Sequence, residues 1–162
     1  MRHFIFIIKV LFSYCWIVLP VFAQTSLSLG GFSSNPDASI EMAADKLTIS
    51  QTNGSARFEG NVIIDQENIK IMAQLVVVTY LESGGINQLS ASGGVTVVTQ
   101  TESAEAKTAD YDLGNQNLVL RGDVLLTQGQ NVISSDAMTI DLTTGAAIVE
   151  GRVRTTLSIE TE

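Results

Sequence analysis

The sequence predicts an all-β protein of two facing antiparallel sheets, built from about four strand–turn–strand units of about 30 residues each. Three observations predict it. From Ile40 onward, aliphatic and β-branched residues alternate with polar ones at period two, cut by Gly, Asn, Thr and Ser, with no helical periodicity. The chain also repeats a glycine followed two residues later by valine: Gly60-Asn61-Val62, Gly93-Gly94-Val95, Gly122-Asp123-Val124 and Gly151-Arg152-Val153. Finally, a large apolar residue precedes each glycine, at Ile49, Tyr80, Tyr111 and Ile140, and the last two units ("YDLGNQNLVLRGDV" over "IDLTTGAAIVEGRV") align without a gap.

The elements follow in order. Residues 1–23 carry Arg2 and Lys9, then an apolar run ending in Val21-Phe22-Ala23, which reads as an export signal cleaved after Ala23. The run is short for a bilayer span. Residues 24–38, rich in Ser and Gly and holding Pro36, read as a flexible leader. The β domain is placed at 39–158, and 159–162 form a tail. In each unit a strand ends near "YDL" or its equivalent. A polar turn follows ("TNG", "ESGG", "GNQ" or "TTG"), and then a strand carrying the glycine. The second unit contains two extra residues in "ESGG". Asn53-Gly54-Ser55 spells a glycosylation sequon but is first a tight-turn signal.

Alternation assigns faces. Leu118, Leu120, Gly122, Val124 and Leu126 fall on one face, and Arg121, Asp123 and Thr127 on the other. The four glycines Gly60, Gly93, Gly122 and Gly151 are expected on the apolar face, mid-strand, where glycine marks a bend, a bulge or a close backbone approach. Bent strands in register make two sheets with aliphatic side chains between them. The stack has two open edges, templates for strand addition. The sequence leaves open whether the interior is a dry core or an open groove. Arg121-Gly122-Asp123 spells an adhesion motif, but it sits inside an alternating strand, and the residues flanking the glycine change from unit to unit.

Composition excludes several chemistries. Cleavage would remove His3, Cys15 and Trp16, each the sole residue of its type. A mature chain without His or Cys has no Ser-His or Cys-His nucleophile pair and no ordinary zinc site. Neither a catalytic residue, a metal nor a cofactor is therefore expected. Asp110 and Asp112 could pair as carboxylates but read as solvent-facing strand residues. The mature chain keeps seven Lys/Arg against 17 Asp/Glu, a net charge of −10. That balance opposes nucleic-acid binding.

The units "ADYDLGNQNLVLRGDVLLTQG" and "SDAMTIDLTTGAAIVEGRV", behind an export signal in a short acidic chain, resemble the OstA-like (LptA) family of lipopolysaccharide-transport proteins. The likeness runs over roughly residues 38–157. The first unit departs from the pattern at Ser50-Gln51 and the second at Leu81-Glu82. The resemblance implies a V-shaped β-jellyroll and a non-enzymatic role in the periplasm. Copies would stack head to tail into a bridge from an LptC-like inner-membrane protein to an LptD-like outer-membrane one, joined through edge strands. The groove would shield the lipid A acyl chains of lipopolysaccharide. Its inward candidates are Leu47, Ile49, Phe58, Val62, Ile64, Val76, Val78, Val95, Val97, Leu118, Leu120, Val124, Leu126, Met138, Ile140 and Val149. Each serves equally as plain core. The ligand is anionic and the chain acidic, so affinity would come from burying methylenes, at about 0.8 kcal/mol each. Arg57, Arg121, Arg152 and Arg154 could meet phosphates at a rim, or lie solvated on the outer face. The alternatives are an anchored LptC-like component, a secreted β-repeat adhesin or filament, and a small outer-membrane barrel, which the missing aromatic girdles disfavour.

Overall fold

The computed structural model describes residues 27–28, 30–33, 35 and 37–157, so the expected export signal and C-terminal tail lie outside the described residues. Strands dominate: β1 (Leu27–Ser28), β2 (Glu41–Ala43), β3 (Lys46–Ser50), β4 (Ser55–Gln66), β5 (Ile69–Tyr80), β6 (Ile86–Val98), β7 (Glu102–Asp112), β8 (Asn117–Gln128), β9 (Asn131–Asp141), β10 (Ala146–Glu150) and β11 (Arg154–Thr156). One 3-10 turn, Gly30–Phe32, lies between β1 and β2. The sheet order is β1-β10-β9-β8-β7-β6-β5-β4-β2, with β3 also on β4 and β11 also on β9. Neighbours pair antiparallel throughout, as hairpin connections require.

The strands are long and bend at the repeat glycines, as the glycine period predicts. β4 to β9 each span 11 to 13 residues and stay hydrogen-bonded across the bend. The bend is a line of β-bulges. Register slips across the bend in each pairing from β4–β5 to β8–β9, with the bulged residues lying between Glu59 and Val62, Ser92 and Val95, and Arg121 and Val124. At each slip two consecutive residues take positive φ: Gly60 and Asn61, Gly93 and Gly94, Gly122 and Asp123, with Gly151 and Arg152 continuing the line between β10 and β11. A left-handed first residue is the signature of a glycine bulge, and it turns the strand without breaking the ladder.

The facing of these glycines differs from expectation. A methyl at Gly122 would meet the stem of Lys107, not the apolar interior; the equivalents are Asp45 over Gly60, Gln74 over Gly93 and Asp136 over Gly151. The partner strand carries the compensation. In β7 the buried positions are 102, 104 and 106, then 109 and 111, so Lys107 and Thr108 both stand outside the buried set. The same switch in parity occurs in β5 and β9. Strict alternation on one strand could not show a parity change on its neighbour.

Pairing produces continuous rows of inward side chains. One runs Ile49, Ala56, Val78, Leu89, Tyr111, Leu118, Ile140, Ala147, each opposite the next. The next runs Leu47, Phe58, Val76, Ala91, Ala109, Leu120, Met138, Val149. Beyond the bend a third runs Met42, Ile64, Ile71, Val97, Ala104, Leu126, Ile133. The rows correct one alignment. The member of the first row on β5 is Val78, not Tyr80, so the second unit carries its extra residues in a longer β5–β6 hairpin that pushes Tyr80 past the row.

The two halves fold onto one core. Tyr111, in the half of the sheet that holds the first row, donates its hydroxyl to Gln66 Oε1, in the half that holds the third, at 3.1 Å. The segment 24–38, expected as a flexible leader, is used by the fold where it is described. β1 pairs with β10, and β2, a few residues after Phe32, pairs with β4 near the opposite edge of the sheet. Phe32 itself is 0% exposed. A large aromatic ring in a polar stretch was the signal for this.

Candidate functional site: the apolar interior and its open corner

Most of the inward candidates are sealed. Val62, Ile64, Val76, Val78, Val95, Val97, Leu118, Leu120, Val124, Leu126, Met138 and Ile140 are buried, and Phe58 and Val149 are half-buried. The rows emerge into solvent at β3. Leu47 is 51% exposed and Ile49 68% exposed, although one strand inward their rows continue into the half-buried Phe58 and the buried Ala56. Tyr80, 45% exposed, shares the parity of Val76 and Val78 on β5. It was missed as an interior-facing residue because it served as a repeat anchor. Counting by twos from Val76 would have found it. The alanines of the rows, Ala56, Ala91, Ala104 and Ala109, were missed because only pairing reveals their facing.

The corner lies on an edge. β3 pairs with β4, and among the described residues no strand covers its other side. At the opposite edge β1 covers β10 only at Ala146 and Ala147, leaving the outer side of Ile148 to Glu150 without a described strand partner. Ile148 is exposed. It neighbours the inward Ala147 and Val149 and therefore faces outward.

Three of the four flanking arginines are paired with carboxylates. Arg57 Nε lies 3.1 Å from Glu59, and Arg121 Nη1 lies 2.8 Å from Asp110 Oδ2. Arg152 grips Asp136, with Nε 3.0 Å from Oδ1. Asp123 pairs instead with Lys107, so Arg121 and Asp123 serve different partners and do not form an adhesion loop. Asp112 accepts from Asn115 N and Nδ2, and Asp141 accepts from the amides of Thr143 and Thr144. These are turn-closing bonds, which explains the aspartate in "YDL" and "IDL".

Electrostatics follow the pairing. Hydrogen bonds from Lys46 and Arg57 hold the Glu59 carboxyl below its usual range, Lys107 does so for Asp123, and Arg152 for Asp136. At Glu102, burial pushes upward, but hydrogen bonds from Thr99, Thr101, Gln128 and the Gly31 amide outweigh it and leave the carboxyl lowered. Each of these groups is thus held ionised, the opposite of what a general acid at neutral pH needs. Among the described residues, no group of three or more His, Cys, Asp or Glu could hold a metal ion, and no helix is long and apolar enough to cross a membrane.

The arrangement offers apolar surface at an unpaired edge, backed by a folded aliphatic interior. Known proteins share the fold. A solved structure of LptH, the LptA-homologous periplasmic component of the lipopolysaccharide transport device of Pseudomonas aeruginosa, matches with a TM-score of 0.70 at 15% identity. The match covers 78% of this chain and 99% of that one and establishes the fold. An uncharacterized protein of Rhizobium meliloti (strain 1021) is 29% identical over 142 residues, covering 80% of this chain and 76% of that protein. Residues 41–146, most of the β domain, match the family described as LptA/(LptD N-terminal domain) LPS transport protein, and the chain belongs to that family.

Proposed function

We propose that this chain is a non-enzymatic carrier in the periplasm that shields the acyl chains of lipopolysaccharide and hands the lipid on through its sheet edges. The carrying observation is the open corner: two inward rows end at Leu47 and Ile49, exposed on the edge strand β3. An acyl chain laid on this corner would continue the rows into the interior. Each methylene buried there contributes about 0.8 kcal/mol, which works against no net charge. The fully buried residues could meet a ligand only if the two halves part, so first contact falls to the corner.

The exposed edges of β3 and β10 support head-to-tail stacking by strand addition and contact with LptC-like and LptD-like neighbours. The test is photo-crosslinking to lipopolysaccharide from positions 47 and 49 and from the intervening 48. Lipid adducts at 47 and 49, with 48 silent, are expected. A folded protein with no lipid adduct at either apolar position would overturn the carrier reading.

A further inference from the structure

The interior is closed along one side by a short piece of chain that is not part of the β-ladder. The turn Gly30–Phe32 and Ser33 follow β1 and are held by side chains, not by strand pairing. The Gly31 amide donates to Glu102 Oε1 at 3.3 Å. Asn68 Nδ2 donates to the carbonyls of Gly31 and Ser33 at 2.9 and 3.0 Å. Phe32 is buried in the common core.

The segment sits where the two halves of the folded sheet meet. Glu102 and Asn68 lie at strand ends beyond the bend. Thr143 belongs to a turn at the other end of the strands, yet it lines the same surface pocket as Ser33, Asn35, Glu67, Asn68 and Gln100. The Tyr111–Gln66 bond joins the two halves. Segment 30–33 thus covers a seam opposite the bend.

The contacts are built for a close fit. Glu102 is 4% exposed and accepts from Thr99 Oγ1 at 2.6 Å, Thr101 Oγ1 at 2.7 Å and Gln128 Nε2 at 3.0 Å as well as from Gly31. A methyl on Gly31 would collide with that carboxylate and come within 2.6 Å of Thr101 Oγ1. Segment 30–33 is held by Phe32 and by hydrogen bonds with the side chains of Glu102 and Asn68, so it can open without unzipping a β-ladder.

We propose that segment 30–33 is a lid on the seam, latched by Glu102 and Asn68, and that lifting Phe32 out gives an acyl chain lateral entry to the interior. The ligand rests on the carrier reading above; the motion does not. The first probe is the apolar fluorophore N-phenyl-1-naphthylamine, which lights up on entering an apolar interior. Gly31→Val should unseat the lid, and dye entry should rise about tenfold. Ser33→Cys with Asn68→Cys, bridged by a short cleavable thiol crosslinker, should slow entry, and cleavage should restore it. If the valine variant does not fold, the crosslinked pair decides alone. Equal entry rates before and after bridging would overturn the lid. The second probe is lipopolysaccharide itself. Gated dye entry with no lipopolysaccharide binding keeps the lid and overturns the carrier reading.

Discussion

Lys107 Nζ lies 2.6 Å from Asp123 Oδ2, and the stem of the same lysine lies over Gly122. One side chain thus covers the bulge glycine and clasps the residue after it. The arrangement recurs along the bend. Asp45 covers Gly60 and accepts from Asn61 Nδ2 at 2.8 Å, and Asp136 covers Gly151 and is gripped by Arg152. In the second unit Gln74 covers Gly93, but Gly94 has no side chain to offer. In three of the four units the bend thus carries a covering residue, a glycine and a clasped neighbour.

Gly122→Ala is expected to destabilise more than Gly94→Ala. Both residues have positive φ, +83° and +87°, so both substitutions strain the backbone by about 1 kcal/mol or more. Only at Gly122 does the new methyl also meet a neighbour, at 2.8 Å from Lys107 Cδ, while Gly94 has nothing within 4 Å. Urea denaturation checks the order. Adding Lys107→Ala to Gly122→Ala should recover part of the loss, a non-additivity that independent sites would lack.

Leu120→Ala should cost about 2–5 kcal/mol, since Leu120 is fully buried between Ala109 and Met138. Asp123→Ala should leave the denaturation midpoint almost unchanged and nearly independent of salt, because both partners of its ion pair are 70% exposed. A large loss from Asp123→Ala would mean that the clasp, and not the glycine conformation, holds the bend.

How much of this was legible in the sequence depended on whether one strand or two determine the feature. Alternation on β8 placed Leu118, Leu120, Val124 and Leu126 inside, because each strand announces its own buried face. The glycine period located the bend. The covering residues Asp45, Gln74, Lys107 and Asp136 were not legible, because they act on a glycine 15 or 19 positions later and the register that joins them is set by hairpin length. The packed role of Phe32 was hidden in a Ser- and Gly-rich stretch whose composition resembles a linker. The open corner was half legible. Leu47 and Ile49 were placed on the inward face, but their exposure follows from β3 being an edge, which only topology shows.

Ile49→Asp is expected to reduce lipopolysaccharide binding at least severalfold, and Ile148→Asp to leave it close to wild type. The two residues are similarly exposed, at 68% and 64%, and both lie on edge strands. They differ in facing: Ile49 continues an inward row and Ile148 points outward. A charge on either edge perturbs strand addition alike, so a difference between the variants reports the interior face. Equal losses, measured by lipid titration of folded protein, would assign the effect to the edges.

Glu102→Gln should destabilise the protein by about 1–3 kcal/mol near neutral pH, because an amide nitrogen replaces one oxygen of a buried carboxylate that accepts from Thr99, Thr101 and Gln128. The loss should depend on pH in one direction. The folded carboxyl is held below its ordinary value of 4.5, so protons bind more readily to the unfolded chain. Its contribution is fully present above that ordinary value and fades as pH falls through the lowered folded value. The gap between wild type and Glu102→Gln should thus stay constant from neutral pH down to about 5.5 and narrow in more acidic solution. Denaturant midpoints of both proteins across that range measure it. Because Glu102 also latches segment 30–33, amide exchange at Gly31 should accelerate in the variant at neutral pH and converge with wild type in acid. A gap that widens in acid would show that Glu102 is not held ionised by these donors.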